Sequence, residues 1–370
     1  MRRLAGTLER PTGRNLLTDD LLNKDGALRD SADYLVRIQA PDGFCVPIDS
    51  KHSEIAAYQV ESVLVLLQAH DLLGDAAYLE PAGRLMAAIV ERQAPDGSLP
   101  IKLLPDDYYE RAKAEVMEYT LEPLEKDGQT YPGSTFSLEE FASFGLSDGL
   151  LAMAAAAYER VVDDRFAEAA ERALDHYCAT FDPVRHKENH FVSFYGIAFA
   201  LHAFARSQHA RRDEMVEAIT RLFTEGPNWW DYSPSKLAIV GGNLLAVHGD
   251  RFADSHVMPG LDKLLHSGLE VMPGGFGMAT SDSQWGDYAD VRGALPLAII
   301  MQACDSVAGS TYTRTEIHDR MLDWMTANRR DAVAAGRPFY EVSYPDGRRF
   351  GSGTPASILL SWWATGRFGP

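Results

Sequence analysis

The segment Gln39-Ala40-Pro41-Asp42-Gly43 recurs unchanged as Gln93-Ala94-Pro95-Asp96-Gly97, 54 residues further on. Pro-Asp-Gly is a stop-and-turn signal, because proline cannot continue a helix and glycine accepts positive φ. One helical hairpin fills about that many residues, so the recurrence reads as one structural repeat passing into the next. Apolar residues elsewhere follow the helical period. They predict helices over 27–40, 53–73, 76–94, 137–161, 164–180, 188–207, 211–225, 233–248, 252–268, 285–307, 314–332 and 353–366.

Twelve helices in alternating series is the count of an all-α (α/α)6 toroid, six inner helices inside six outer ones. The even-numbered helices carry runs such as Leu150-Leu151-Ala152-Met153-Ala154-Ala155-Ala156-Ala157, apolar nearly all round, as a helix buried on every side must be. The odd-numbered helices carry charged stripes, as over Arg165–Asp175 and Arg211–Arg221, and fit the outer ring. No low-complexity linker divides the chain, so residues 1–370 are expected to form one domain. The stretch 99–133 interrupts the series with Pro100, Pro105, Pro123 and Pro132 and a charged helix-like piece near 107–119, and is expected to lie over one rim as an insertion. Phe339–Phe350 reads as a short rim β-hairpin around Asp346-Gly347.

The formal net charge of −18 argues against a nucleic-acid or anionic-lipid partner. With 46% hydrophobic and 24% charged residues the chain has ordinary globular composition, which excludes global disorder. No run approaches the roughly 18 apolar residues of a membrane span, and Met1-Arg2-Arg3 leads into no apolar signal core. A cytoplasmic protein is the expectation. Cys45, Cys178 and Cys304 form no CxxC pair and read as buried free thiols.

In a toroid the N-terminal ends of the inner helices meet at one mouth, where their free N–H groups favour anions. The residues expected there are His52, Glu54, Glu139, Asp148, Asn189, His190, Tyr195, Lys236, Trp285, Asp287, Tyr288, Asp290 and Arg292. Asp148 stands out as a carboxylate inside an otherwise apolar helix, a setting that needs a partner or a raised pKa. Asp287 and Asp290, three apart, are expected on one helical face. HExxH, CxxC, GxGxxG and GxxxxGK[ST] are all absent from the sequence, so no metal or cofactor is expected. Trp229, Trp230, Trp285, Tyr288, Tyr340 and Tyr344 gather in the second half, where aromatic faces can stack on sugar rings or shield cations.

Two groups of toroid enzymes are resembled. Gln39–Phe44 and Gln93–Ser98, read as Q-x-x-D-G-[FS], resemble the QW repeat of terpenoid cyclases of the squalene–hopene type. Gly274-Gly275-Phe276-Gly277 with Asp287-Tyr288 and Gly293-Ala294 resembles the protein-prenyltransferase repeat. In the latter comparison the zinc ligands fall on Trp285 and Asp287, which implies no zinc site. Ser147-Asp148-Gly149-Leu150 resembles the inner-helix acid of six-hairpin glycosidases and unsaturated glucuronyl hydrolases. Glu188-Asn189-His190 with Tyr195 is similar to the Asn-Asn-His segment of toroid polysaccharide lyases.

The expected function is therefore glycosidic-bond cleavage of an oligosaccharide by general acid–base chemistry, as hydrolase or uronate lyase. Asp148 or Asp287 would act as acid, His190 or Tyr195 as base in an elimination, and Asn189 or Arg292 would neutralise the uronate. The alternative is a terpenoid-cyclase-like enzyme in which Asp287 or Asp290 protonates an isoprenoid. Polar cavity walls favour the first and aromatic or aliphatic walls the second.

Overall fold

The computed structural model describes residues 24–46, 56–100, 103–104, 119–121, 124–126, 129–131, 134–136, 149, 151–155, 164–188, 190–225, 237–267, 289–290, 330–336, 342–343 and 349–350. Within these, the helices are α1 (Lys24–Ile38), α2 (Ala56–Leu73), α3 (Leu79–Arg92), α4 (Asp164–Thr180), α5 (Pro183–Glu188), α6 (His190–Arg206), α7 (Arg212–Thr224), α8 (Gly242–His248) and α9 (Met258–Ser267). Residues 151–155 and 330–334 are also helical. π-Helical turns, Leu237–Gly241 and Ala253–Val257, lead towards α8 and α9.

Burial separates two kinds of helix, as the charge pattern requires. In α2 every residue from Gln59 to Ala69 is buried, and in α6 every residue from Gly196 to Phe204. By contrast α3 buries Pro81, Ala82, Leu85, Met86, Ala88 and Ile89 and exposes Glu80, Arg84, Glu91 and Arg92. α4 and α7 bury one stripe each, Phe166-Ala169-Ala173-Leu174-Tyr177 and Met215-Ile219-Leu222-Phe223. The packing follows this division. α2 packs against α1 and α3, and α6 against α4 and α7, while α3 meets α4 directly. Arg37 of α1 donates to the Gly336 carbonyl, 299 positions away, so the first outer helix meets the end of the 330–334 segment, as closure of a ring requires.

The repeated pentapeptide is a clamp between successive outer helices. In the first copy Gln39 Nε2 donates to the Gly43 carbonyl and to Pro81 O of α3, both at 2.9 Å, and Arg84 of α3 donates to Gln39 Oε1. In the second, Gln93 Nε2 donates to Gly97 O (2.9 Å) and Ala169 O of α4 (3.0 Å), while Arg172 donates to Gln93 Oε1 from Nε and Nη2 at 3.1 and 2.8 Å. The aspartates close each turn, Asp42 accepting from Phe44 N–H and Asp96 from Ser98 N–H. Both glycines sit at positive φ, +97° and +91°. Replacing Gln93 by leucine removes these bonds and leaves the Ala169 carbonyl facing an apolar group. The expected loss is about 2–3 kcal/mol, read as a lower urea midpoint at unchanged slope.

Paired segments between 119 and 136 make an unexpected β-hairpin. Tyr119–Leu121 (β1) pairs antiparallel with Ser134–Phe136 (β4), and Leu124–Lys126 (β2) with Gln129–Tyr131 (β3), in one continuous register. The two residues between the paired Lys126 and Gln129 are Asp127-Gly128, a strong hairpin signal that the surrounding prolines obscure. The helix-like piece near 107–119 falls almost wholly outside the described residues. The pairing around Asp346-Gly347 is present: Val342–Ser343 (β6) lies antiparallel to Arg349–Phe350 (β7). Cys45 is buried and Cys178 half-buried, both as free thiols, and burial pushes them up to about 12 and about 11. Cys304 lies outside the described residues.

Candidate functional site

Of the residues expected at the mouth, His52, Glu54, Glu139, Asp148, Asn189, Lys236, Trp285, Asp287, Tyr288 and Arg292 lie outside the described residues. His190 and Tyr195 are the first and sixth residues of α6, the expected inner-helix start. Asp290 is placed differently from its expectation. It lies in a short strand, Ala289–Asp290 (β5), whose Cα partners are Val342 for Asp290 and Ser343 for Ala289. The helical-face argument for Asp287 and Asp290 therefore does not hold. A two-residue strand carries no readable alternation, and its partner is some 50 residues away, so the local pattern could not announce it. The pairing instead ties Asp290 to the 342–350 hairpin.

Position 148 gains context from its neighbour. Gly149 is buried where its helix meets α6, and a methyl group there would lie 2.7 Å from Ala200 N and 3.0 Å from Gly196 O. Glycine at 149 thus lets two inner helices approach backbone to backbone. Asp148 is the residue preceding that closest approach.

The side of the inner helices turned away from the outer ring can be read from contacts. On α2, Gln59 binds the loop after α1 through both amide atoms, accepting from Cys45 N–H (3.0 Å) and donating to Cys45 O (2.8 Å). Gln59 therefore marks the outward face. At about 100° per residue, Glu61 is turned about 200° from it and Gln68 about 180°. Both belong to the opposite, axial face and are buried, each 4% exposed. The outward polar group is satisfied by protein, and Ser62 on the flank donates to Tyr58 O at 2.8 Å. Gln68 differs: neither amide atom has a hydrogen-bond partner among the described residues.

On α6, Phe204 packs on Tyr177 of α4 with ring centroids 5.9 Å apart, which marks its outward face. His202 is two residues earlier and so turned about 200° away. It is 3% exposed. Burial pushes its imidazole down to about 3, so the ring is neutral. Asn243 of α8 is 1% exposed, its side chain hydrogen-bonded to this imidazole and its amide nitrogen donating to Ile239 O of the π-turn at 2.7 Å.

Glu61, Gln68, His202 and Asn243 were not singled out by the sequence reading. The available signal was a polar residue inside an otherwise apolar helix, the same signal that drew attention to Asp148. Among the described residues no group of three or more His, Cys, Asp or Glu side chains is arranged to hold a metal ion. No described helix is long and apolar enough to cross a membrane.

No protein-family model and no curated protein matches the sequence. Solved structures do match in three dimensions. Cellobiose 2-epimerase from Spirochaeta thermophila DSM 6192 superposes with a TM-score of 0.63 at 11% identity, covering 95% of this chain and 98% of its own. Cellobiose 2-epimerase from Bacillus thermoamylovorans B4167 gives 0.62 at 11% identity, covering 92% and 98%. A protein from Actinoplanes gives 0.50 at 15% identity, covering 93% and 99%. Identities this low speak for architecture alone, and with the alternation of buried and one-sided helices described above they give it plainly: the chain is an (α/α)6 toroid.

Proposed function

We propose that this toroid is a carbohydrate-active enzyme working by general acid–base proton transfer at the mouth formed by its inner helices. The observation that carries the reading is the polar axial face: Glu61 and Gln68 on α2, and His202 with Asn243 between α6 and α8, all buried. A hydrocarbon substrate has no use for such groups, whereas sugar hydroxyls repay their desolvation with hydrogen bonds. The likeness to two cellobiose 2-epimerases supports the same substrate class.

In this reading the whole chain, 1–370, is one catalytic domain, with 99–133 as its insertion. Asp148 or Asp287 supplies the acid, His190 or Tyr195 the base, and Asn189 or Arg292 faces a carboxylate where the substrate carries one. Trp285 and Tyr288 stack on the ring, and His52, Glu54, Glu139 and Lys236 complete the mouth. Bond cleavage by hydrolysis or elimination and 2-epimerisation all need a protein group that takes or gives a proton.

The test is turnover by the purified protein of a panel of oligosaccharides that includes intact and unsaturated uronates. Ultraviolet absorbance of the C4=C5 double bond and mass spectrometry follow the reaction. A rise in absorbance identifies a lyase, a fall an unsaturated-uronyl hydrolase, and released sugar without absorbance change a glycosidase. A new sugar of unchanged mass identifies an epimerase. No change in any sugar overturns the reading. Asp148→Asn is expected to lower turnover by about 100-fold or more while thermal unfolding stays within a few degrees. Full activity in that variant removes Asp148 from the site.

A further inference from the structure

We propose that His202 and Asn243 are positioning residues: bonded to each other across two inner helices, they hold the π-turn Leu237–Gly241 and so set the aim of the mouth end of the helix it opens. The inference rests on the carbohydrate reading and gives a role to two residues that reading does not place at the mouth.

Both residues stand alone in their helices. Every position of α6 from Gly196 to Phe204 is buried, and His202 is the one polar side chain among them. From Leu237 through Leu245, across the π-turn and the first half of α8, Asn243 is the one polar side chain. α6 packs against both the π-turn and α8, and there the two polar side chains are hydrogen-bonded to each other. A buried polar pair of this kind fixes one packing arrangement, because any slip of one helix along the other separates the partners.

Asn243 also reaches along its own helix. Its Nδ2 donates at 2.7 Å to Ile239 O, a carbonyl inside the π-turn and four residues back. Four residues is the spacing of the ordinary α-helical bond, so the side chain binds the carbonyl that a regular helix gives to the backbone N–H of residue 243. A π-turn bonds five residues apart instead, which displaces its carbonyls from the ladder of the α-helix that follows. Asn243 thus stands at the junction of two helical registers, and His202 anchors it from the neighbouring helix. Reversion of the π-turn to an α-turn would rotate everything N-terminal to it by about 100° about the helix axis and shift it by about 1.5 Å. That end is where the carbohydrate reading puts the mouth, and Lys236, one of the residues it names there, directly precedes Leu237 in sequence. A displacement of that size is enough to misalign a side chain with a bound substrate.

The test uses the full chain and whichever sugar the panel shows to be turned over. Asn243→Leu keeps the branched shape and removes both bonds. KM is expected to rise about tenfold, with kcat per folded molecule within about threefold of wild type. A purely structural role would do the opposite, since fewer folded molecules lower the rate and leave KM alone. Asn243→Leu combined with His202→Leu is expected to raise KM no further than either alone, because one broken link already frees the turn. The second measurement keeps a polar group at 202. Asparagine there sets its amide near the place of Nδ1, and glutamine near that of Nε2. One of His202→Asn and His202→Gln should keep KM within about twofold of wild type, and the other should raise it about tenfold.

An unchanged KM in Asn243→Leu overturns the proposal, whatever happens to its stability. Additive rises in the double variant overturn the link between the two residues. Equal KM in His202→Asn and His202→Gln, raised or not, overturns it also, and these two variants decide the matter if leucine at 243 prevents folding. If wild type turns over no sugar, it is the carbohydrate reading that fails and this inference falls with it. If wild type is active and KM moves in none of the variants, only this inference fails.

Discussion

Gly97→Ala is expected to destabilise the protein by about 3 kcal/mol or more, or to prevent its accumulation as a folded chain. Two independent costs combine. Gly97 has φ +91°, a conformation that L side chains rarely adopt. A methyl group there would also lie 2.0 Å from the Arg172 carbonyl oxygen and 3.1 Å from His176 Cβ, both in α4. The obstruction is backbone, so no rotamer change relieves it, and α4 would have to move off the clamp that Gln93 and Arg172 make. Gly43→Ala carries the same fault more mildly, at 2.8 Å from Arg84 O and φ +97°. Gly74→Ala is the internal control. It shares the positive φ, at +66°, but has nothing within 4 Å, so only the conformational cost remains, about 1 kcal/mol. Denaturant unfolding of the three variants should rank them Gly97, Gly43, Gly74 from most to least damaging. Equal losses at Gly97 and Gly74 would show that the close approach to α4 contributes nothing.

Acidification should unfold the protein earlier than its carboxylates alone require. Burial pushes the His186 imidazole down to about 4 and that of His202 to about 3, from an ordinary value of 6.5. His186, on α5, lies against the Phe181 ring, with centroids 5.2 Å apart. Both rings are neutral in the folded chain and become protonated on unfolding at mildly acidic pH. Because the unfolded state then binds more protons, stability rises with pH across this window. The contribution is complete above about pH 6.5 and is lost as pH falls towards the folded values. By about pH 4.5 each imidazole has forfeited about 3 kcal/mol. Stability measured by denaturant between pH 7 and 4.5 should fall with a slope near two protons. His202→Gln should reduce that slope to about one. A slope unchanged by the substitution would mean that His202 is protonated in the folded protein.

Much of the architecture was legible because it rests on repeating, local signals. The all-round burial of α2 and α6 and the single buried stripes of α3, α4 and α7 follow from where leucine, alanine and charge fall along each helix. The Pro-Asp-Gly signal located the ends of α1 and α3 within a few residues. The same pentapeptide did not disclose its second role, because the partners of Gln39 and Gln93 are carbonyls and arginines 42 to 79 residues distant. Non-local pairing likewise hid Asp290, whose strand is defined by its pairing with Val342 and Ser343. Asp127-Gly128 was a readable turn lost among the prolines of the 99–133 stretch.

The site was legible in kind rather than in detail. A polar residue within an apolar helix is visible in any sequence, and Asp148 was found that way. Glu61 and Gln68 carry the same mark, yet only the bond between Gln59 and the Cys45 loop reveals that they face inward. The axial face is a property of the ring, and the ring exists only once the helices have packed.

The most direct test of the carbohydrate reading is mass spectrometry of an oligosaccharide panel incubated with the protein in deuterium oxide. The account predicts a sugar that is cleaved by hydrolysis, that is cleaved by elimination to an unsaturated fragment lighter by one water than the hydrolysis product, or that gains one carbon-bound deuterium without cleavage. Each of these records a proton moved by the protein, and the last singles out epimerisation. Sugars recovered unlabelled and uncleaved throughout, from a protein that converts a prenyl diphosphate or a linear polyprene, would contradict it and establish the isoprenoid alternative.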